Sequence, residues 1–175
     1  LRAPLTGHLV LSTIHTNDAV SSINRLIDMG IEPFMVSTAL IGVVAQRLVR
    51  RICKHCKVED TNISRRVRAE IADTLGIQAE DVKAWKGQGC LECDHTGYRG
   101  RVAIYEFFLL DEEIQDMVSN HVGTGELRKA AIERGMRTLR QDGWEKVNDG
   151  ATSIEEVQRI TSTFNISYDI GDLDE

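Results

Sequence analysis

His8-Leu-Val-Leu-Ser-Thr-Ile-His-Thr-Asn-Asp18 is the stretch on which the reading of the fold turns. Its first part is mostly β-branched and aliphatic. It is bounded by Gly7 and by His15-Thr16-Asn17, the pattern of a buried strand entering a turn. A helix is expected directly behind it. Asn17 or Thr16 can cap that helix and Asp18 suits its first turn. Ala19, Ile23, Leu26 and Ile27 form an apolar stripe that ends at Met29-Gly30. Pro33 suits the first turn of a second helix, from Phe34 to about Ala45, apolar on most sides. Arg47 to Ile52 reads as a strand of mixed character. Strands alternating with helices predict an α/β layer built on a parallel sheet.

Beyond Ile52 the pattern changes. All four cysteines fall in two C-x-x-C pairs, Cys53-Lys-His-Cys56 and Cys90-Leu-Glu-Cys93, with 33 residues between them. The intervening segment predicts a charged helix from Ser64 to Leu75 and a short one near Ala79 to Ala84. A C-x-x-C turn delivers two thiolates to one ion, and two such turns complete the closed tetrahedral site that structural Zn²⁺ prefers. Such a site holds structure together and leaves no open position for activating water. The module is poor in core residues, a deficit that metal binding can offset. Disulfides, a redox pair and two unrelated turns are the competing readings. Disulfides require an oxidising compartment, and a redox C-x-x-C is expected at a strand-to-helix junction. His55 and His95 are close enough in sequence to replace a cysteine as ligand, and otherwise read as exposed.

Arg101 to Leu110 is rich in strand formers and returns the chain to a sheet. Helices are expected from Asp111 to about Asn120, Glu126 to Arg134 and Leu139 to Val147. Ser153-Ile-Glu-Glu156 reads as a capping box opening a fourth helix to about Thr161. Ser167 to Glu175 carries four acids and few apolar residues and is expected to be a frayed tail. Met29, Phe34, Trp85, Trp144 and the Phe107-Phe108 pair are expected in the core.

The 175 residues are 42% hydrophobic and 27% charged, which excludes disorder for most of the chain. A formal net charge of −6 excludes a global basic field for nucleic acid. Charge is nonetheless uneven. Residues 1–57 carry seven Lys/Arg against three acids, whereas residues 90–175 carry nine against eighteen. The basic excess gathers at Arg47, Arg50, Arg51, Lys54 and Lys57, read either as a solvated face or as a phosphate or partner site. The longest apolar stretch, Phe34 to Ala45, is far short of the ~20 residues that span a bilayer. A start at Leu1 without a signal pattern is what a piece of a longer protein would show. His15 closes the first strand, where α/β sheets bind ligands, with Thr16, Asn17 and a helix start beside it. It reads as a phosphate contact or as a turn residue. His8, seven positions away, starts from the opposite face of a regular strand.

Several motifs occur in one order: Thr6-Gly-His through Asp18, Ile27-Asp-Met-Gly-Ile-Glu-Pro-Phe34, Ala45-Gln-Arg-Leu-Val-Arg-Arg51 and the cysteine pairs. Gly97-Tyr-Arg-Gly-Arg101 with Ile104-Tyr-Glu106, and Gly135-Met-Arg-Thr-Leu-Arg-Gln-Asp-Gly143, follow. Across residues 1 to about 162 this set resembles the type II secretion and type IV pilus assembly ATPases, the general secretory pathway protein E family. Pro4 departs from the pattern, where similar sequences more often carry a small helix former.

The resemblance implies an α/β fold: the C-terminal portion of a RecA-like P-loop NTPase core, an inserted tetracysteine zinc module and a C-terminal helical bundle. The implied divisions are 1–52 for the core, 53–98 for the zinc module, 99–162 for a strand and helical subdomain, and 163–175 for a disordered acidic tail. It further implies a homo-hexamer on the cytoplasmic side of the inner membrane, contacting platform proteins, with ATP and Mg in the intact protein and structural zinc. No nucleic acid and no membrane span are expected. His8 and His15, with Thr16 and Asn17 in the same histidine box, would sense the nucleotide's terminal phosphate. Cys53, Cys56, Cys90 and Cys93 would ligate zinc. The sequence contains no G-x-x-x-x-G-K-[ST] loop and no acidic strand end for Mg²⁺, so the segment alone is expected to be inactive. The alternative is a zinc-stabilised protein-interaction adaptor with no ATPase activity.

Overall fold

The computed structural model describes residues 7–162, so the expectations for Pro4 and for the tail at 163–175 lie outside the described residues. Seven helices and four strands are described, and the chain divides into two compact units. Among the described residues, one unit comprises 7–46 and 105–138 and the other 47–104 and 139–162. Two long strands, β1 (Gly42–Ile52) and β4 (Tyr98–Leu109), pair with each other. They are antiparallel. The Leu110 N–H donates to the Ile41 carbonyl at 3.0 Å, and the Cys53 N–H donates to the Gly97 carbonyl at 2.9 Å. The expected parallel sheet is therefore absent among the described residues. The 45 residues between these strands join antiparallel neighbours, which need no crossover connection.

In the first unit, α1 (Ser21–Asp28) and α2 (Pro33–Ala39) pack with α4 (Glu112–Ser119) and α5 (Thr124–Glu133). Ile23, Val36, Phe108, Ile114 and Leu127 lie at the centre of the core they enclose. Helix α1 starts two residues later than its apolar stripe suggests. The Asp18 carboxylate accepts the Ser21 N–H at 2.8 Å and leaves Ala19 and Val20 in the buried turn ahead of the helix. Gly30, at φ +85°, ends the helix as expected. Helix α2 stops at Ala39, not Ala45, because Gly42-Val43-Val44 enters β1. A Cβ at Gly42 would meet the Phe108 carbonyl at 3.0 Å, so the close pairing of β1 with β4 needs a glycine there.

The largest departure is at residues 8–14, which form no strand and are mostly exposed, with Leu9 at 78% and Leu11 at 90%. A strand needs a neighbour for its backbone polar groups. Among the described residues, β1 and β4 are paired with each other, as are β2 (Lys57–Glu59) and β3 (Trp85–Gly87). Phe107 is 56% exposed while Phe108 is buried, because successive strand residues face opposite ways. Met29 and Phe34 are also exposed, at 62% and 71%, against expectation. Each lies at a helix end, off the side facing the core. No described helix is long and apolar enough to cross a membrane.

The second unit is built around α3 (Arg65–Leu75), α6 (Leu139–Asn148) and α7 (Ile154–Thr161). Val67 and Ile71 of α3 share a core with Trp144, Val147 and Val157. Gly143 lets α6 approach α7 closely, since a Cβ there would lie 2.7 Å from Val157 Cγ1. Glu70 accepts from Arg140 Nη2 and from Trp144 Nε1, both at 2.9 Å. Trp144 is buried as expected, and Trp85 is partly buried. Ser153 caps α7 as read, but Glu156 does not complete the box. Its carboxylate is buried and taken up by arginines: Arg50 Nη2 at 2.7 Å, the Arg50 backbone N–H at 2.9 Å, and Arg159 at 2.8 and 2.9 Å.

Candidate functional site

The cysteines meet because each pair lies beside a sheet edge. Cys53 directly follows β1, and Cys56 directly precedes β2. The second pair follows β3 and brackets a 3₁₀ turn at Leu91–Cys93 that leads into β4. Lys57 pairs with Gly87 across β2 and β3, which sets the two C-x-x-C turns face to face. Asp94 and His95 follow at φ 50° and 60°, left-handed positions that swing the chain back so that the Gly97 N–H points at Cys93 Sγ, 3.2 Å away.

The four sulfurs lie within 4.8 Å of one another. Cys53–Cys90 and Cys56–Cys93 are 3.9 Å apart and Cys90–Cys93 3.7 Å. Four thiolates about 2.3 Å from one tetrahedral ion sit roughly 3.8 Å apart, so the spacing fits zinc. It is far beyond the ~2.05 Å of a disulfide, and all four cysteines are free. Backbone N–H groups face the sulfurs: Gly89 donates to Cys56 and Cys90 to Cys93, both at 3.3 Å. Such donors stabilise thiolates. Burial pushes the Cys93 thiol up, but the N–H groups of Cys90 and Gly97 outweigh it and hold the thiol at about 6. Burial, reinforced by Cys93, pushes Cys90 up to about 12. Both histidines near the pairs, His55 and His95, are exposed and are not among the clustered ligands.

The basic residues near the first pair are partly engaged. The Arg50 guanidinium lies 4.1 Å from the Tyr98 ring centre besides holding Glu156, and Lys57 Nζ lies 4.4 Å from the Trp85 ring. Arg51 and Lys54 are exposed.

In the first unit, His15, Thr16 and Asn17 share an open polar groove of about 300 Å³ with Asn24 and Arg25 of α1. His8 is exposed and does not line that groove. The turn is held from beneath. Thr16 Oγ1 donates to the Asp18 carbonyl at 2.9 Å and meets Ser22 Oγ at 2.8 Å. Asp18 also pairs with Arg128 of α5 at 2.8 Å, and Glu106 of β4 accepts the Ala19 N–H at 2.9 Å. Sequence reading singled out none of Asp18, Glu106 or Arg128 as a site residue. The available signal was Glu106, a lone acid within the apolar run Ile104 to Leu110.

The family model for type II/IV secretion system proteins matches residues 1–159. The type II secretion system protein HxcR of Pseudomonas aeruginosa is 44% identical over 161 residues, covering 92% of this chain and 30% of that protein. The type IV pilus assembly ATPase PilB of Thermus thermophilus is 48% identical over 158 residues, covering 89% of this chain and 17% of that protein. The type II secretion system ATPase E of Vibrio cholerae is 44% identical over 161 residues, covering 92% and 31%. The chain thus spans less than a third of the length of each. Among solved structures, the pilus retraction motor PilT with bound ADP matches at a TM-score of 0.54 and 18% identity, covering 91% of this chain and 35% of that one. Together with the family model, that match bears out the expected RecA-like α/β fold class, and here the fold carries clustered cysteines. With a family match over 159 of 175 residues, the chain belongs to the type II/IV secretion system protein family.

Proposed function

We propose that these residues form the C-terminal motor segment of a hexameric ATPase that couples ATP hydrolysis to pilin or pseudopilin assembly at the cytoplasmic side of the inner membrane. The observation that carries this reading is the identity of 44–48% to two secretion proteins and a pilus assembly ATPase, sustained across both units of the fold. His15, with Thr16 and Asn17, faces the nucleotide's terminal phosphate, and His8 belongs to the same box. Cys53, Cys56, Cys90 and Cys93 hold one structural zinc, which supplies cohesion and no catalysis. The zinc module (53–98), inserted between core residues 1–52 and the strand and helical region 99–162, meets the platform proteins. Without a phosphate-cradling loop, the segment alone does not turn over ATP.

The test is genetic. Deleting the coding region for these residues in the host, and assaying both surface filaments and secreted protein, is expected to abolish one or the other. Cys93→Ser is expected to reproduce the loss. Wild-type levels of both outputs in the deletion strain would overturn the proposal.

A further inference from the structure

We propose that Asp18, Glu106 and Arg128 are positioning residues that clamp the histidine turn and tie it to helix α5. The inference rests on the nucleotide-facing role assigned above to His15, Thr16 and Asn17.

The three side chains come from parts of the chain far apart in sequence, and they meet under one turn. Glu106 lies on the core-facing row of β4 between Ile104 and Phe108 and is 2% exposed. An aliphatic residue would fill that place at no desolvation cost. The carboxylate instead accepts the Ala19 N–H at 2.9 Å, one residue ahead of α1. Asp18, 5% exposed, uses one oxygen for the Ser21 N–H at 2.8 Å and the other for Arg128 Nη2 at 2.8 Å. Two successive residues are thus held through buried carboxylates, one fixed to the sheet and one to a helix in the C-terminal half of the unit. Contacts of this kind add little net stability, and their bearing here is on geometry, because each joins the turn to a separate element. What they fix here is the direction in which residues 15–17 leave the turn. Arg128, its side chain 24% exposed, is the member through which a movement of α5 reaches that direction.

The test has two arms. In this chain, amide hydrogen exchange is expected to rise about tenfold at Ala19 to Ser22 in Arg128→Ala, to recover in part in Arg128→Lys, and to stay unchanged in α3. Glu106→Gln, which keeps an accepting oxygen, is expected to match wild type, whereas Glu106→Leu exchanges fast at Ala19. In the full-length polypeptide carrying these residues, Arg128→Ala is expected to lower kcat about tenfold or more, with KM changed less, as a misplaced contact group would. Combined with His15→Ala it is expected to add nothing further, since both act on one group. Unchanged exchange at the turn, undiminished kcat in a destabilised Arg128→Ala protein, or a multiplicative double mutant would overturn the clamp. If His15→Ala retains full turnover, the nucleotide reading itself fails, and the proposal falls with it even where exchange shows the turn clamped.

Discussion

Replacing Glu156 by Gln should destabilise the second unit by about 2–3 kcal/mol at neutral pH, and the deficit should shrink in acid. Burial alone would push this carboxyl up, but hydrogen bonds from Arg159 and Arg50 overcome it and hold it down from 4.5 to about 2. At ~1.36 kcal/mol per pKa unit this corresponds to about 3 kcal/mol. Arg50 and Arg159 are 44% and 51% exposed, so solvent screening trims the figure toward the lower bound. Because the folded-state value is depressed, the stabilisation is fully present above about pH 4.5 and is lost as pH falls toward about 2. In Glu156→Gln one acceptor oxygen remains, but an amide N–H₂ is turned toward guanidinium donors. The assay is urea unfolding followed by tryptophan fluorescence, since Trp85 and Trp144 both lie in the unit that contains Glu156. The gap between wild type and variant should be constant from pH 8 to 5 and fall by more than half by pH 3. A gap under about 0.5 kcal/mol at pH 7, or one that does not change between pH 6 and 3, would refute the reasoning.

Gly143→Ala should destabilise the same unit by about 1–2 kcal/mol. The gain of roughly 1 kcal/mol in helix propensity is outweighed by a Cβ placed 2.7 Å from the stiff, buried Val157; a stabilised variant in urea unfolding would mean that α6 and α7 have room to part. Asp111→Ala should cost about 1 kcal/mol by removing the cap that accepts the Ile114 N–H at 2.9 Å. It should also release Arg134 Nε, now 3.0 Å from Asp111, and thermal unfolding reads the loss as a few degrees in Tm. A strong zinc chelator should strip amide-exchange protection from Gly89 and Gly97 while α4 and α5 keep theirs; equal loss in α4 and α5 would show that the metal supports both units.

Much of this fold was legible in the sequence, because local chemistry decides it. Ser153 caps the helix it was expected to cap, Asp111 marks the start of α4 as read and serves as its cap, Pro33 opens α2, and Gly30 closes α1. The cysteine cluster was legible for the same reason, since C-x-x-C spacing builds each half-site locally. What failed depended on partners distant in sequence. Residues 8–14 have the composition of a strand, but composition does not supply an adjacent edge. Val43 and Val44 continue an apolar run that reads as helix until β4 offers a strand for pairing. Glu156 satisfied a local capping pattern and was claimed instead by Arg50, 106 positions away. The clamp beneath the histidine turn was illegible for that reason too. Asp18 and Arg128 are ordinary charged residues until the packing of α1 and α5 sets them 2.8 Å apart.

The most direct measurement is steady-state ATP turnover by the full-length polypeptide carrying these residues, run beside the 175-residue chain alone and the full-length His15→Ala variant. The account predicts turnover by the full-length protein, a loss of about tenfold or more in His15→Ala, and none by the isolated chain. Hydrolysis by the isolated chain, or its absence from the full-length protein, would contradict it.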